Sequence, residues 1–259
     1  MSDHTVVDRL LAAERERTEL PPFSAGADGG FDVARAYELQ DELVGRKVAA
    51  GAVMIGAKLG LTSRAKQRTM KVDTPCFGQL LDTQLLAADE PVRLDELIHP
   101  RVEPEIVFHL RDALAGPGVT AHGVLAATAA IGCGLEVIDS RYAAYSFTLA
   151  DVVADNTSAA RFVLGERRVD PADIPDLSLV GVVVEKDGQG VATAAGAAVL
   201  GHPADAVALL ANWLGRRGRR LEPGWVVLSG GMTDAVPLTP GCTVTATFGR
   251  LGTVRVRAV

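Results

Sequence analysis

Arg101-Val-Glu-Pro-Glu-Ile-Val-Phe-His-Leu110 reads as a β-strand, rich in branched and aromatic residues. In a strand, residues i and i+2 point to the same face, so Glu103 and Glu105 project together. Two carboxylates a few ångströms apart repel, and burying them unpaired is costly. A divalent cation removes that cost, and Mg²⁺ or Mn²⁺ favours oxygen ligands. Taken alone, the pair also fits the solvated face of an edge strand, because structural carboxylates are common.

Working outward, the chain is β-rich from about residue 78. Strands are expected over 79–85, 102–110, 131–139, 161–165, 177–185, 190–199, 224–229, 242–249 and 252–258, with Asp187-Gly188 marking a hairpin. Helices are expected over 121–130 and 203–217. Several strands follow one another with no helix between them. That disfavours a doubly wound parallel sheet and favours a mixed α+β fold with a large curved sheet or barrel-like roll.

Upstream, residues 5–20 have helical periodicity until Leu20-Pro-Pro-Phe breaks it. Residues 31–50 read as a second helix, with Asp32 near its start and Val33, Ala36, Leu39, Leu43 and Val44 on one stripe. Residues 53–62 read as a glycine-interrupted strand, 63–72 as a short helix and 73–78 as a loop. The expected division is a smaller helical N-terminal lobe with the first active-site strand over 1–77, and a catalytic domain over 78–259.

The 259 residues are 48% hydrophobic and 22% charged, ordinary for a globular protein with a sizeable core. A formal net charge of -6 and the absence of basic–aromatic interleaving argue against nucleic acid as a partner. Arg216, Arg217, Arg219 and Arg220 follow an apolar helical stretch and suit a helix C-terminus. Cys76, Cys133 and Cys242 have no metal-ligand spacing, which suggests reduced, buried thiols and a cytoplasmic location. The start of the chain lacks a signal-peptide pattern, and no apolar run reaches membrane-spanning length.

Glu103 and Glu105 alone would hold a metal weakly. Glu136, a charged residue inside the apolar run Ile131-Gly-Cys-Gly-Leu-Glu-Val-Ile-Asp-Ser140, is the best third acid. Asp139 competes, but it sits at the strand end beside Arg141, where an ion pair or a turn accounts for it. Lys58 lies in another apolar stretch; it suits an acid/base or a cation beside a substrate carboxylate, and equally a snorkelling side chain. Asp155 could pair with Lys58, and Asn156 and Ser158 could donate to substrate, although turns and caps use the same residues. His202 suits a helix cap. Ser229-Gly-Gly-Met-Thr233 could bind an anion through backbone N–H groups. Neither a GxxxxGK[ST] nor a GxGxxG pattern is present.

Six segments occur in order: Lys58-Leu-Gly-Leu-Thr-Ser-Arg-Ala-Lys66, Pro100-Arg-Val-Glu-Pro-Glu105, Leu135-Glu-Val-Ile-Asp-Ser-Arg141, Val153-Ala-Asp-Asn156, Leu200-Gly-His-Pro203 and Leu228-Ser-Gly-Gly-Met-Thr233. From about residue 30 to the C-terminus this set resembles the 4-oxalocrotonate (2-oxo-3-hexenedioate) decarboxylases. These group with the vinylpyruvate (2-hydroxypenta-2,4-dienoate) hydratases in the fumarylacetoacetate hydrolase superfamily. The late Ser-Gly-Gly-Met-Thr, together with Ser63-Arg-Ala-Lys66 and Ile138-Asp-Ser-Arg-Tyr142, looks like the decarboxylase form.

The resemblance implies a fumarylacetoacetase-type catalytic fold. It implies Glu103, Glu105 and Glu136 as ligands of Mg²⁺ or Mn²⁺, and Lys58 as the active-site lysine. Asp73, Asp155 and Ser158 would line the pocket; Ser229 and Thr233 are taken as further substrate-binding residues, and Asp155 as a second catalytic group. The implied reaction is loss of CO₂ from 2-oxo-3-hexenedioate to give 2-hydroxypenta-2,4-dienoate during aromatic meta-cleavage. Its electron sink is the substrate's own C2 carbonyl, with Lewis-acid support at that oxygen. The expected partners are a 2-oxo dicarboxylate, further copies of the chain and a vinylpyruvate hydratase. Hydration of 2-hydroxypenta-2,4-dienoate is the alternative reaction. An acylpyruvate hydrolase would want a His–Glu pair, which neither His99 nor His109 obviously supplies, and a non-catalytic partner subunit would not need the intact acidic set.

Overall fold

The computed structural model describes residues 3–25, 30–64, 67, 68, 72 and 74–259. In chain order the helices and strands are α1 (Asp3–Glu16), α2 (Val33–Ala49), β1 (Met54–Gly60), β2 (Cys76–Leu81), β3 (Leu85–Leu86), β4 (Arg101–Leu110), α3 (Ala121–Ala127) and β5 (Thr128–Ile138). Then come α4 (Leu149–Ala154), β6 (Ala159–Leu164), β7 (Gly181–Lys186), β8 (Gln189–Ala195), α5 (Pro203–Arg216), β9 (Val226–Leu228), β10 (Val236–Pro237), β11 (Thr243–Phe248) and β12 (Gly252–Arg257).

The strands form two sheets. The larger runs β2-β1-β9-β4-β5-β6-β3, with β10 on the flank of β4, and curls into half a barrel. β1 runs parallel to β9 and β3 parallel to β6; the other pairs in this sheet are antiparallel. The smaller sheet is antiparallel, β12-β11-β7-β8, two hairpins joined edge to edge through β7 and β11. The fold is therefore the mixed α+β type expected, with no doubly wound sheet. The β7–β8 turn puts Asp187 and Gly188 at φ 53° and 76°, the left-handed pair that Asp-Gly supplies at low cost.

α1 and α2 bury Val6, Val7 and Leu10 against Ala36, Tyr37, Leu39, Leu43 and Val44. Asp32 caps α2 by accepting from Arg35 N at 2.8 Å. Val33 lies outside the buried stripe at 36% exposure. α5 is capped by His202, whose Nδ1 accepts from Ala204 N at 3.1 Å. At its other end Arg217 and Arg219 pair with Asp41 of α2, so the arginine cluster does end a helix.

Several boundaries move. The helix expected over 121–130 stops at Ala127, because Thr128 and Ala130 pair with Leu110 and His109 of β4. Local Ala-rich propensity is weak, and the ladder overrides it. Leu177–Leu179 is a 3₁₀ turn capped by Asp176, so that strand begins at Gly181. The strand expected at 79–85 begins at Cys76 and ends at Leu81. The short helix expected over 63–72 falls largely outside the described residues. Among the described residues no helix is long and apolar enough to cross a membrane. Cys76, Cys133 and Cys242 are free and buried.

Candidate metal centre

β2 is an edge strand, yet side chains satisfy its outward backbone groups in place of a neighbour strand. Phe77 N donates to Tyr37 Oη at 3.2 Å, and Phe77 O accepts from Gln40 Nε2 at 2.9 Å. Gln79 N and O both bond the Asn156 side chain at 2.9 Å, and Leu81 N donates to Gln84 Oε1 at 2.9 Å. This covers an otherwise adhesive edge and fixes β1, its partner, at the centre of the site.

β4 and β5 bring the acids together. Glu103 lies opposite Glu136 in the antiparallel register, and Glu105 opposite Gly134. One carboxylate oxygen from each of Glu103, Glu105 and Glu136 lies within 4.8 Å of the others. The three residues are 9%, 0% and 1% exposed, which removes the solvated-edge reading. On the same face the strands continue as an apolar floor of Val107, Leu80, Phe162 and Leu228.

Pro104 shapes the mouth of the cluster. It has no N–H to add to a ladder, and β4 is left between β9, which pairs at 107–109, and β10, which pairs at 101–102. The segment 229–233 crosses that gap, held by Ser229 N to Ile106 O at 3.2 Å and Met232 N to Pro104 O at 3.0 Å. Gly230 N donates to Glu105 Oε2 at 2.6 Å. The anion bound by this glycine turn is thus the protein's own Glu105. A Cβ on Gly231 would fall 2.7 Å from the Glu103 carboxyl carbon, so only glycine lets the turn approach so closely.

Lys58, on β1 opposite Gly78, is 2% exposed. Its Nζ lies 3.1 Å from Glu136 Oε1 and donates to Thr157 O at 2.8 Å. The Glu136 contact has the distance of an ion pair, and among the described residues neither Glu136 oxygen nor Glu105 Oε1 has a hydrogen bond. Burial, with Glu136 and Glu103 adding repulsion, holds the Glu105 carboxyl well above its usual range. Burial likewise raises Glu136, against the pull of Lys58. Burial depresses the Lys58 ammonium, but the facing Glu136, Cys76, Glu105 and Glu103 outweigh it, so its pKa stands above the ordinary lysine value. Buried carboxylate oxygens without a hydrogen bond among the described residues, together with clustered repulsion, are the conditions a hard divalent cation relieves. Glu103, Glu105 and Glu136 fit Mg²⁺ or Mn²⁺ in ligand type and count, with positions left for substrate oxygens.

Other expected site residues fall differently. Asp155 does not pair with Lys58. It is fully buried against Arg141, whose Nε donates to Oδ1, whose backbone N donates to Oδ2 at 3.2 Å and whose Nη2 reaches the Asp155 carbonyl at 2.7 Å. The contact spans 14 residues and is invisible to sequence spacing. Asn156 docks on Gln79, with Oδ1 accepting from Gln79 N and Nδ2 donating to Gln79 O. The Ser158 and Ser229 hydroxyls are buried with no partner among the described residues, and Thr233 Oγ1 donates to Asp234 O at 2.9 Å. Asp73 lies outside the described residues. Asp139 accepts from Ile98 N and His99 N, both at 2.8 Å, and so anchors a loop.

A His–Glu pair that sequence did not reveal is present. His99 Nδ1 lies 2.7 Å from Glu19 Oε1, and Nε2 lies 2.7 Å from Ser140 O. Both ring nitrogens face acceptors, which leaves no lone pair directed at a water. His109 Nε2 is buried without a hydrogen-bond partner among the described residues, and burial with Arg168 nearby pushes its pKa down to about 4.

No family model matches the chain. It is 45% identical over 226 residues to a 4-oxalocrotonate decarboxylase of Pseudomonas sp. (strain CF600), covering 87% of this chain and 85% of that protein. It is 42% identical over 214 residues to a 2-hydroxypent-2,4-dienoate hydratase of Pseudomonas putida, covering 82% and 95%. A solved structure of 4-oxalocrotonate decarboxylase from Pseudomonas putida G7, complexed with magnesium and adipate, superposes with a TM-score of 0.94 at 38% identity, covering 100% of this chain and 99% of that one.

Proposed function

Because the chain belongs to the family that unites the 4-oxalocrotonate decarboxylases and the 2-hydroxydienoate hydratases, we propose that it is a metal-dependent carboxy-lyase. Its reaction is decarboxylation of 2-oxo-3-hexenedioate to 2-hydroxypenta-2,4-dienoate and CO₂, a step of aromatic catabolism. The observation that carries this reading is the buried Glu103, Glu105 and Glu136 cluster, with Glu105 and Glu136 oxygens that find no hydrogen bond among the described residues, in a chain whose relatives include a decarboxylase holding magnesium and the dicarboxylate adipate.

Glu103, Glu105 and Glu136 would hold the Mg²⁺, with Mn²⁺ satisfying the same ligands. When bound, the ion would supply Lewis-acid support as charge develops at the substrate's C2 oxygen. Lys58 keeps a positive charge beside the cluster and favours the C2 oxygen as it becomes anionic. Losing CO₂ sends the C5–C6 bonding electrons through the C3–C4 double bond to C2 and gives the dienolate, which takes a proton at that oxygen. The apolar floor of Val107, Leu80, Phe162 and Leu228 solvates a carboxylate poorly, which favours its departure as neutral CO₂. Asp155 is best read as a group that acts on Lys58 from behind, and Ser158, Ser229, Thr233 and Asp73 as the surroundings of the substrate.

The residues over 1–77 are taken as a helical cover that contributes the Lys58 strand to the catalytic body over 78–259. The protein is further read as a cytoplasmic homo-oligomer that associates with a vinylpyruvate hydratase. Three buried free thiols suit a reducing compartment.

Hydration of 2-hydroxypenta-2,4-dienoate is the second reading, favoured by the 42% identity to a hydratase. Supplying each substrate with Mg²⁺ separates the two. CO₂ release from 2-oxo-3-hexenedioate supports the decarboxylase, and consumption of the dienol without CO₂ supports the hydratase.

A further inference from the structure

Asn156, Thr157 and Ser158 have φ of 46°, 51° and 58° in succession. None is glycine and Thr157 is β-branched, so each left-handed residue here carries strain. Such a turn persists only where its surroundings hold it, and two anchors do so. Immediately before it, Asp155 is gripped by the Arg141 backbone and guanidinium. Within it, the Asn156 side chain docks on β2 as a neighbour strand would, accepting from Gln79 N and donating to Gln79 O. Gly78 leaves room for the docking: a Cβ there would fall 2.2 Å from Thr157 Oγ1 and 2.9 Å from Lys58 Cδ.

The product of these contacts is one hydrogen bond. The Thr157 carbonyl accepts from Lys58 Nζ at 2.8 Å, on an ammonium whose other fixed neighbour is Glu136 at 3.1 Å. We propose that Asn156 and Asp155 are positioning residues that act through Lys58, by holding the strained turn whose Thr157 carbonyl fixes the lysine ammonium beside Glu136. The proposal rests on the reading of Lys58 as the cation of the reaction. It explains why polar side chains committed to Arg141 and Gln79 sit two and one residues before Thr157.

The experiment compares full-length Mg²⁺-loaded wild type with Asn156→Gly, Asp155→Asn, Lys58→Ala and the Lys58→Ala/Asn156→Gly double variant. Glycine tolerates the left-handed φ, so Asn156→Gly removes the anchor without adding strain. The expected result is a fall in kcat of about tenfold or more, with KM and Mg²⁺ affinity within about twofold of wild type. In the Lys58→Ala background the second substitution costs nothing further. Equal, additive losses in both backgrounds, or wild-type kcat in Asn156→Gly, overturn the proposal. Asn156→Ser shortens the side chain so that it no longer spans Gln79 N and O and adds no charge, so it reads the same coupling should the glycine variant not fold. A second arm needs no turnover: reductive methylation of Lys58 followed by mass spectrometry. Lys58 is labelled several-fold faster in Asn156→Gly than in wild type; equal labelling overturns the proposal. A wild type that turns over neither substrate would defeat the functional reading, and the labelling arm would still decide the positioning.

Discussion

Lys58 Nζ lies 3.1 Å from Glu136 Oε1, with the two side chains 3% and 1% exposed. That same glutamate faces Glu103 across the β4–β5 ladder and has a second oxygen without a hydrogen bond. One carboxylate is therefore shared between a fixed ammonium and a site for a movable cation, and the charge balance of the cluster follows from it.

Replacing the lysine should separate metal binding from turnover. Lys58→Met lowers kcat by about a hundredfold or more, the scale of losing a group that stabilises developing charge. Mg²⁺ binds no more weakly, and in fact more tightly, because a like charge beside the ion is gone. Titration calorimetry beside steady-state kinetics checks both, and weakened Mg²⁺ binding contradicts the arrangement.

Glu105→Gln tests the cost of the crowded carboxylates. The amide oxygen can still accept from Gly230 N, so the fold is kept. The metal-free variant melts at or above the wild-type temperature, since a buried, repelled charge has been removed. Added Mg²⁺ raises its melting temperature far less than that of wild type, and kcat falls by orders of magnitude. A metal-free variant clearly less stable than wild type contradicts this.

Gly231→Ala should injure the metal site without touching a ligand. Its Cβ would sit 2.8 Å from Glu103 Oε2, so the carboxylate or the turn must move. Mg²⁺ affinity drops about tenfold or more, a scale seen when the support of a metal ligand is disturbed. Gly190→Ala, with nothing within 4 Å of the new Cβ, is the control. Equal metal affinity in the two variants counts against the close packing described.

Asp155 gives a pH dependence independent of the metal ligands. Burial pushes its carboxyl up to about 6 against the pull of Arg141. A raised carboxyl is worth most to the folded state below its ordinary range, and that advantage is lost as pH rises through the folded value. The stability of wild type relative to Asp155→Asn therefore falls as pH rises from about 4 to about 6. Denaturant melts of both proteins across that window measure it; a constant difference contradicts it.

The sequence exposes what one strand can show. Glu103 and Glu105 two apart, and Glu136 alone in an apolar run, are charges where neither periodicity nor solvation explains them. Register then makes them a cluster. The hairpin at Asp187-Gly188 was legible for the same reason, since alternation and turn chemistry are local. Partners across distant elements were not legible. Nothing in the spacing tells Asp155 to choose Arg141 over Lys58, or His99 to meet Glu19. The side chains that bond the β2 edge are equally hidden, because Tyr37, Gln40 and Asn156 read locally as a helix face and a turn.

The central claim is that the buried carboxylates serve a Mg²⁺-dependent decarboxylation. The most direct measurement is CO₂ released from 2-oxo-3-hexenedioate by metal-stripped protein, before and after Mg²⁺ is restored. The account predicts CO₂ in step with substrate loss only when Mg²⁺ is present, and none from Glu105→Gln under the same conditions. Equal CO₂ release with and without Mg²⁺, or substrate untouched in both cases, would contradict it.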